Sequence, residues 1–163
     1  GSRGSVIPFF ISKKSSGILP ITDPNMTRFN ITLKESVEMV FWAIENSSGG
    51  EIFVPKIPSY RIKDLAKAIG PKCNIKITGS RPGEKICEEM ISISDAPYTY
   101  ELDNYYVIVP NYYNFEESKL KHLIKNKVDT NFSYNSSNNQ DFLNVDKIRK
   151  LIIENIDESF IPM

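Results

Sequence analysis

Between residues 18 and 78, short apolar runs alternate with amphipathic helical stretches, and that order restricts the fold more than any other feature. Ile18-Leu19-Pro20-Ile21 reads as a strand, followed by the turn Asp23-Pro24-Asn25 and an extended stretch from Met26 to Thr32. Thr32 and Glu35 stand at the spacing of a capping box, in which two side chains satisfy orphan helix N–H groups reciprocally. Leu33, Val37, Val40, Phe41 and Ile44 then recur at helical spacing. Met39, Trp42 and Ala43 widen that face, so this helix requires cover on two sides. Asn46-Ser47-Ser48-Gly49-Gly50 stops it, and Glu51-Ile52-Phe53-Val54-Pro55 reads as a strand buried inside a sheet. Pro58-Ser59 leads into a second helix with Ile62, Leu65, Ala66 and Ile69 on one face, ended by Gly70-Pro71. Asn74-Ile75-Lys76-Ile77-Thr78 is the next strand. Strand, helix, strand, helix, strand is an α/β arrangement.

The flanks are less regular. Val6-Ile7-Pro8-Phe9-Phe10-Ile11 reads as a short helix closed by Ser12-Lys13-Lys14-Ser15-Ser16-Gly17. The glycine-rich opening Gly1-Ser2-Arg3-Gly4-Ser5 precedes it, but its spacing matches no standard phosphate loop. Tyr98 to Leu102 and Tyr105 to Val109 flank Asp103-Asn104, a hairpin signal whose link residues tolerate positive φ. Phe115 to Lys127 predicts a lysine-rich helix. Asn131 to Gln140 is a polar loop, either ordered by contact or mobile. A last helix starting near Asn144 carries Val145, Ile148, Leu151, Ile152 and Ile156.

Composition narrows the function classes. With 163 residues the chain fits one ordinary domain. Twenty basic residues balance 20 acidic ones, which argues against a nucleic-acid binder. No apolar run is long enough for a bilayer, and no secretory leader opens the chain, so a soluble, cytoplasmic setting is expected. Cys73 and Cys87 are far apart and His122 is the single histidine, leaving no material for a Cys/His metal cluster. Free thiols and a solvated His122 are expected.

No Ser/His/Asp or Cys/His arrangement and no G-x-G-x-x-G can be assembled. The adjacent Glu88 and Glu89 read as solvated charges. The stretch with binding chemistry is Gly79-Ser80-Arg81-Pro82-Gly83-Glu84-Lys85. Its Pro-Gly turn fixes the backbone between a guanidinium and a carboxylate. Two readings stand: an exposed Arg–Glu pair worth little, or a clamp in which Arg81 holds a phosphate and Glu84 accepts from a diol. Arg3 and Arg28 are the other candidate phosphate contacts. Arginines without a catalytic group describe a binding half rather than a complete enzyme.

Several stretches together resemble a known family. Gly1-Ser2-Arg3-Gly4-Ser5-Val6-Ile7-Pro8-Phe9-Phe10 resembles the segment after the catalytic tyrosine–lysine region of extended short-chain dehydrogenases. Ile21-Thr22-Asp23-Pro24-Asn25-Met26-Thr27-Arg28-Phe29 resembles the nucleotide-sugar 4,6-dehydratase branch. So do Gly50 to Pro58, Arg81 to Met90, Tyr134 to Asn139, and Phe142-Leu143. The resemblance implies an α/β fold: the C-terminal part of an extended short-chain dehydrogenase. It would comprise the substrate-binding domain plus the last strand and helices of the Rossmann domain, the N-terminal NAD(P)-binding half being absent. Residues 1–127 would form the nucleotide-sugar-binding region, and residues 128–163 a polar loop and C-terminal helix extension.

The resemblance also implies roles. Arg28 and Arg81 match diphosphate contacts and Glu84 matches the acidic residue on the ribose hydroxyls. Ser2 and Arg3 fall where the family lines the sugar and diphosphate pocket, although Arg3 fits equally a support from outside. The implied activity of the intact protein is 4,6-dehydration of UDP-N-acetylglucosamine with NAD(P), in surface-polysaccharide biosynthesis. A UDP-sugar 4-epimerase of the same family and a non-catalytic assembly module are the alternatives. This chain lacks the Tyr-x-x-x-Lys pair, so it is expected to bind a UDP-sugar without catalysing hydride transfer and to hold no cofactor alone. The expected partners are the UDP-sugar and either further copies of the chain or the missing half, with no nucleic acid and no membrane insertion.

Overall fold

The computed structural model of the protein describes residues 5–163. In chain order its elements are α1 (Val6–Lys13), β1 (Ile18–Ile21), β2 (Thr27–Phe29), α2 (Leu33–Asn46), β3 (Ile52–Pro55), β4 (Ser59–Arg61), α3 (Ile62–Ile69), β5 (Asn74–Ile77), β6 (Glu89–Ile91), β7 (Thr99–Glu101), β8 (Tyr105–Ile108), β9 (Asn126–Lys127), β10 (Tyr134–Asn135) and α4 (Val145–Asn155). This mixed α/β chain divides into two compact units. The first comprises Gly1–Thr32, Pro58–Glu88 and Ser136–Met163, the second Leu33–Ile57 and Glu89–Asn135. The boundary expected at residue 127 lies inside the second unit, and residues 128–163 divide between the two.

In the first unit β1 and β5 pair in parallel, Ile18 opposite Asn74 and Ile21 opposite Ile77. β2 and β4 pair antiparallel, with Arg28 opposite Tyr60. The helical spacing of Ile62, Leu65, Ala66 and Ile69 is realised in α3, whose face is buried against α1 and α4. Phe10, Leu19, Ile21, Leu65, Ile69 and Ile152 are fully enclosed, each such burial favouring the fold by about 1.5–3 kcal/mol. α3 ends at Gly70, whose backbone leaves the helical region (φ −133°, ψ 73°), and no side chain fits there, since a Cβ would stand 2.6 Å from Cys73 Sγ and 3.1 Å from Leu19 Cδ1. Arg149 Nε donates to the Ala68 carbonyl at 3.1 Å, satisfying an orphan acceptor at that helix end. α4 starts where expected, its Asn144 cap accepting from Lys147 N at 2.9 Å.

The second unit is an antiparallel sheet in the order β3-β8-β7-β9, with a separate β6–β10 pair. Leu102, Val107, Val109 and Leu120 form its core. Trp42 anchors α2 to the sheet, stacking on Tyr105 at 4.3 Å and meeting Phe53 edge-on at 5.2 Å. Three expectations change here, and one is met. β3 is an end strand rather than an interior one: Val54 is buried while Ile52 is 60% exposed. The apolar face of α2, for which the spacing asks cover on two sides, is open, with Leu33 82%, Phe41 63% and Ile44 67% exposed; this is the exposed patch expected of that helix when the remainder of the family fold is not in the chain.

The second correction is the stretch from Phe115 to Lys127, which is not a helix. A 3-10 turn at Phe115–Glu117, capped by Asn114, gives way to β9, because Asn126 and Lys127 pair with Glu101 and Tyr100. Sheet pairing outweighs local helix preference. The third is the 103–104 link: no non-glycine residue among those described has positive φ, so Leu102 N reaches the Tyr105 carbonyl (2.9 Å) without a primed turn.

The loop after α2 is closed by Glu51. Its carboxylate accepts from Tyr113 Oη (2.5 Å), Ser47 Oγ (3.1 Å), Ser48 N (2.8 Å) and Gly49 N (2.7 Å). Desolvation, the largest single influence, raises its pKa, but the hydrogen bonds together outweigh it and hold the value at about 2. The folded value lies below the ordinary 4.5, so this group contributes stability above that pH and loses it as pH falls toward 2. Tyr113→Phe should move the Glu51 carboxyl titration, followed by NMR, back toward its ordinary value. A titration still centred near 2 would show that the phenol does not hold it.

Candidate functional site

The first unit contains a cavity of about 620 Å³ whose polar lining includes Arg28, Tyr60, Arg81, Glu84 and Glu88. Size and mixed polarity suit a small-molecule site. Arg28 comes from the middle of β2, and its side chain is one-fifth exposed. Nη1 donates to the carbonyls of Thr27 (2.7 Å) and Ile86 (3.1 Å), and Nη2 to that of Lys85 (3.0 Å). Nε lies 3.8 Å from Glu88 Oε1. The guanidinium thus ties β2 to the segment that follows the Pro-Gly turn.

Glu88 is not the solvated charge expected from its neighbour Glu89. Its Oε2 accepts from Phe29 N at 2.8 Å, beside the Arg28 ion pair. Ser136, fully buried, completes the clamp: its N donates to the Glu88 carbonyl (2.8 Å) and its Oγ accepts from Glu88 N (2.9 Å). The same Oγ meets Thr27 Oγ1 at 2.8 Å. The polar loop from Asn131 to Gln140 is therefore ordered by contact. Asn139 adds to this by donating to Ser59 Oγ at 2.9 Å.

The Arg81–Glu84 turn is neither a simple surface ion pair nor loose. Glu84 N donates to the Arg81 carbonyl at 3.0 Å across Pro82 and Gly83, and Gly83 has φ 80°, as a type II turn requires. Glu84 Oε2 accepts from Arg81 N (3.0 Å) and Oε1 from Thr22 Oγ1 (3.3 Å). The carboxylate thus braces the backbone, and the exposed Arg81 guanidinium has no partner among the described residues. Ser2 and Arg3 lie outside the described residues. Arg28, Arg81 and Glu84 are brought together at one cavity.

Tyr60 lines the cavity and is absent from the sequence-predicted site residues: Pro58-Ser59 reads only as the lead into a helix, whereas Ser59–Arg61 forms β4. Ser59 and Tyr60 are both buried and only Arg61 is exposed, so no simple alternation marked the strand. Burial, then the Glu88 carboxylate, pushes its phenol up to about 12, against the opposing effect of Arg28. Cys73 and Cys87 are unpaired thiols, and His122 is exposed, as expected. No helix among the described residues is long and apolar enough to cross a membrane.

The profile of the polysaccharide biosynthesis protein family matches residues 1–110. A UDP-N-acetylglucosamine 4,6-dehydratase (inverting) of Campylobacter jejuni is 48% identical over 147 residues, spanning 85% of this chain and 44% of the dehydratase. A UDP-glucose 4-epimerase of Rickettsia akari is 38% identical over 157 residues, spanning 93% of this chain and 46% of the epimerase. The X-ray structure of Pen from Bacillus thuringiensis superposes with a TM-score of 0.75 at 27% identity, over 94% of this chain and 45% of Pen. The chain therefore spans less than half the length of these relatives.

If Arg28 clamps the segment, Arg28→Lys should destabilise the protein by about 1–3 kcal/mol, because a single ammonium cannot serve three carbonyls and Glu88 together. Urea denaturation measures this, and an unchanged midpoint would refute the clamp.

Proposed function

The chain belongs to the polysaccharide biosynthesis protein family, in the nucleotide-sugar dehydratase and epimerase branch of the extended short-chain dehydrogenases, and on that premise we propose that it supplies the UDP-sugar-binding part of a UDP-N-acetylglucosamine 4,6-dehydratase. The observation that carries this reading is the unpartnered Arg81 guanidinium beside Glu84 at the cavity. Arg81 makes charge-assisted hydrogen bonds to the ligand diphosphate. Glu84 uses two acceptor positions on the protein and keeps others for the ribose hydroxyls. Arg28 adds positive charge, its donors being engaged by carbonyls. Ser2 and Arg3 join the same assignment on the family pattern alone.

The match to the Rickettsia epimerase favours a second reading, a UDP-sugar 4-epimerase using the same binding residues. NAD(P) belongs to either reading of the whole protein but does not fit this chain's own residues. The sequence has no G-x-G-x-x-G, and among the described residues no glycine-rich loop joins a strand to a helix N-terminus. The open apolar face of α2 is assigned to association with the remainder of the family fold, which the relatives' greater length supports. Two unpaired cysteines support a cytoplasmic setting.

Calorimetric titration with UDP and UDP-N-acetylglucosamine tests the assignment. Wild type should bind both, and Arg81→Ala should weaken each by about tenfold or more, the loss of charged hydrogen bonds. Equal affinities for wild type and variant would remove Arg81 from the site.

A further inference from the structure

Tyr60 stands directly opposite Arg28 in the β2–β4 pair. Opposed residues in an antiparallel pair share a sheet face, so their side chains are neighbours. Both line the cavity. Tyr60 is only 7% exposed, yet its hydroxyl has no hydrogen-bond partner among the described residues. Buried tyrosine hydroxyls almost always find one. Ser5 Oγ is the single described side-chain polar atom both shut off from solvent and unpartnered. The Tyr60 hydroxyl is unpartnered without being shut off, so it opens onto the cavity it lines.

The charged groups beside it on β2 and in the segment after the turn are already engaged. Arg28 directs its Nη groups at three carbonyls, and Glu88 accepts from Phe29 N. Between Arg28 and Tyr60, the facing pair of β2 and β4, the Tyr60 hydroxyl is the uncommitted donor, as the Arg81 guanidinium is at the turn. Burial and the Glu88 carboxylate keep it protonated throughout the physiological range. A neutral O–H lining the cavity is able to donate to an acceptor that arrives with the ligand.

We infer that Tyr60 is a ligand-contacting residue of this cavity, its hydroxyl donating a hydrogen bond to an acceptor oxygen of the bound nucleoside diphosphate. The inference rests on the nucleotide-sugar reading above and adds a contact that the family motifs do not mark.

Tyr60→Phe removes the hydroxyl and keeps the ring. Titrated with UDP, this variant should bind about 3- to 10-fold more weakly, the loss of one neutral hydrogen bond. The same factor should appear with UDP-N-acetylglucosamine, because the contact is to the shared nucleotide. The melting temperature without ligand should not fall, since the hydroxyl has no partner in the free protein. Unchanged UDP affinity overturns the inference, as does a lowered melting temperature with unchanged affinity. If wild type binds UDP and Arg81→Ala weakens it while Tyr60→Phe does not, this inference alone fails. If wild type binds no UDP, both readings fall. Should the variant fail to fold, ultraviolet difference spectra of wild type with UDP serve instead. A perturbed tyrosine band is expected, and a flat spectrum overturns the assignment.

Discussion

The candidate site depends on one half-hidden cation. Arg28 reaches from the centre of a three-residue strand to the carbonyls of Lys85 and Ile86 while also engaging its own neighbour, Thr27. Thr27 N donates to the same Ile86 carbonyl at 3.0 Å, so backbone and side chain hold this segment together. A guanidinium suits the task because its planar fork addresses several acceptors at fixed angles. The Glu88 carboxylate offsets the charge, and Ser136 fixes Glu88 from behind. This clamp acts together with the Thr22–Glu84 contact and the turn's own hydrogen bonds to set where the preceding turn presents its side chains.

That turn shows how a motif can be structural and available for binding at once. Proline and a glycine with φ 80° set the backbone, and Glu84 reinforces it by accepting from Arg81 N rather than from the Arg81 guanidinium. An Arg–Glu side-chain pair would have neutralised the cation. Bracing through the backbone leaves it free to meet an anion, and preorganisation of this kind lowers the ordering loss on binding.

The second unit carries a different message. Its core aromatics hold α2 through Trp42, while the rest of the helix's apolar face remains open. The spacing of Val37, Val40, Phe41 and Ile44 demanded cover, and the residues present in this chain do not supply it. The apolar stripe therefore stands exposed in a chain that spans less than half the length of its relatives.

Elements whose signals are local were legible in the amino-acid order alone. α3 and α4 announce themselves by periodicity, an Asn cap and a Gly stop, and β1, β5 and the β7–β8 hairpin by alternation and turn residues. The Arg81-Pro82-Gly83-Glu84 turn was readable for the same reason, since its geometry is set by four consecutive residues. Other features needed the tertiary structure. The stretch after Phe115 looks helical until β7 offers an edge to pair with. Glu88 looks solvated until Phe29 N is brought to it, and Tyr60 carries no motif until Arg28 stands opposite. The sequence by itself determined which residues bend, cap and alternate, because those preferences act within a few bonds. Only the tertiary structure decided which donor is satisfied and which is left facing the cavity, because that depends on partners dozens of residues away.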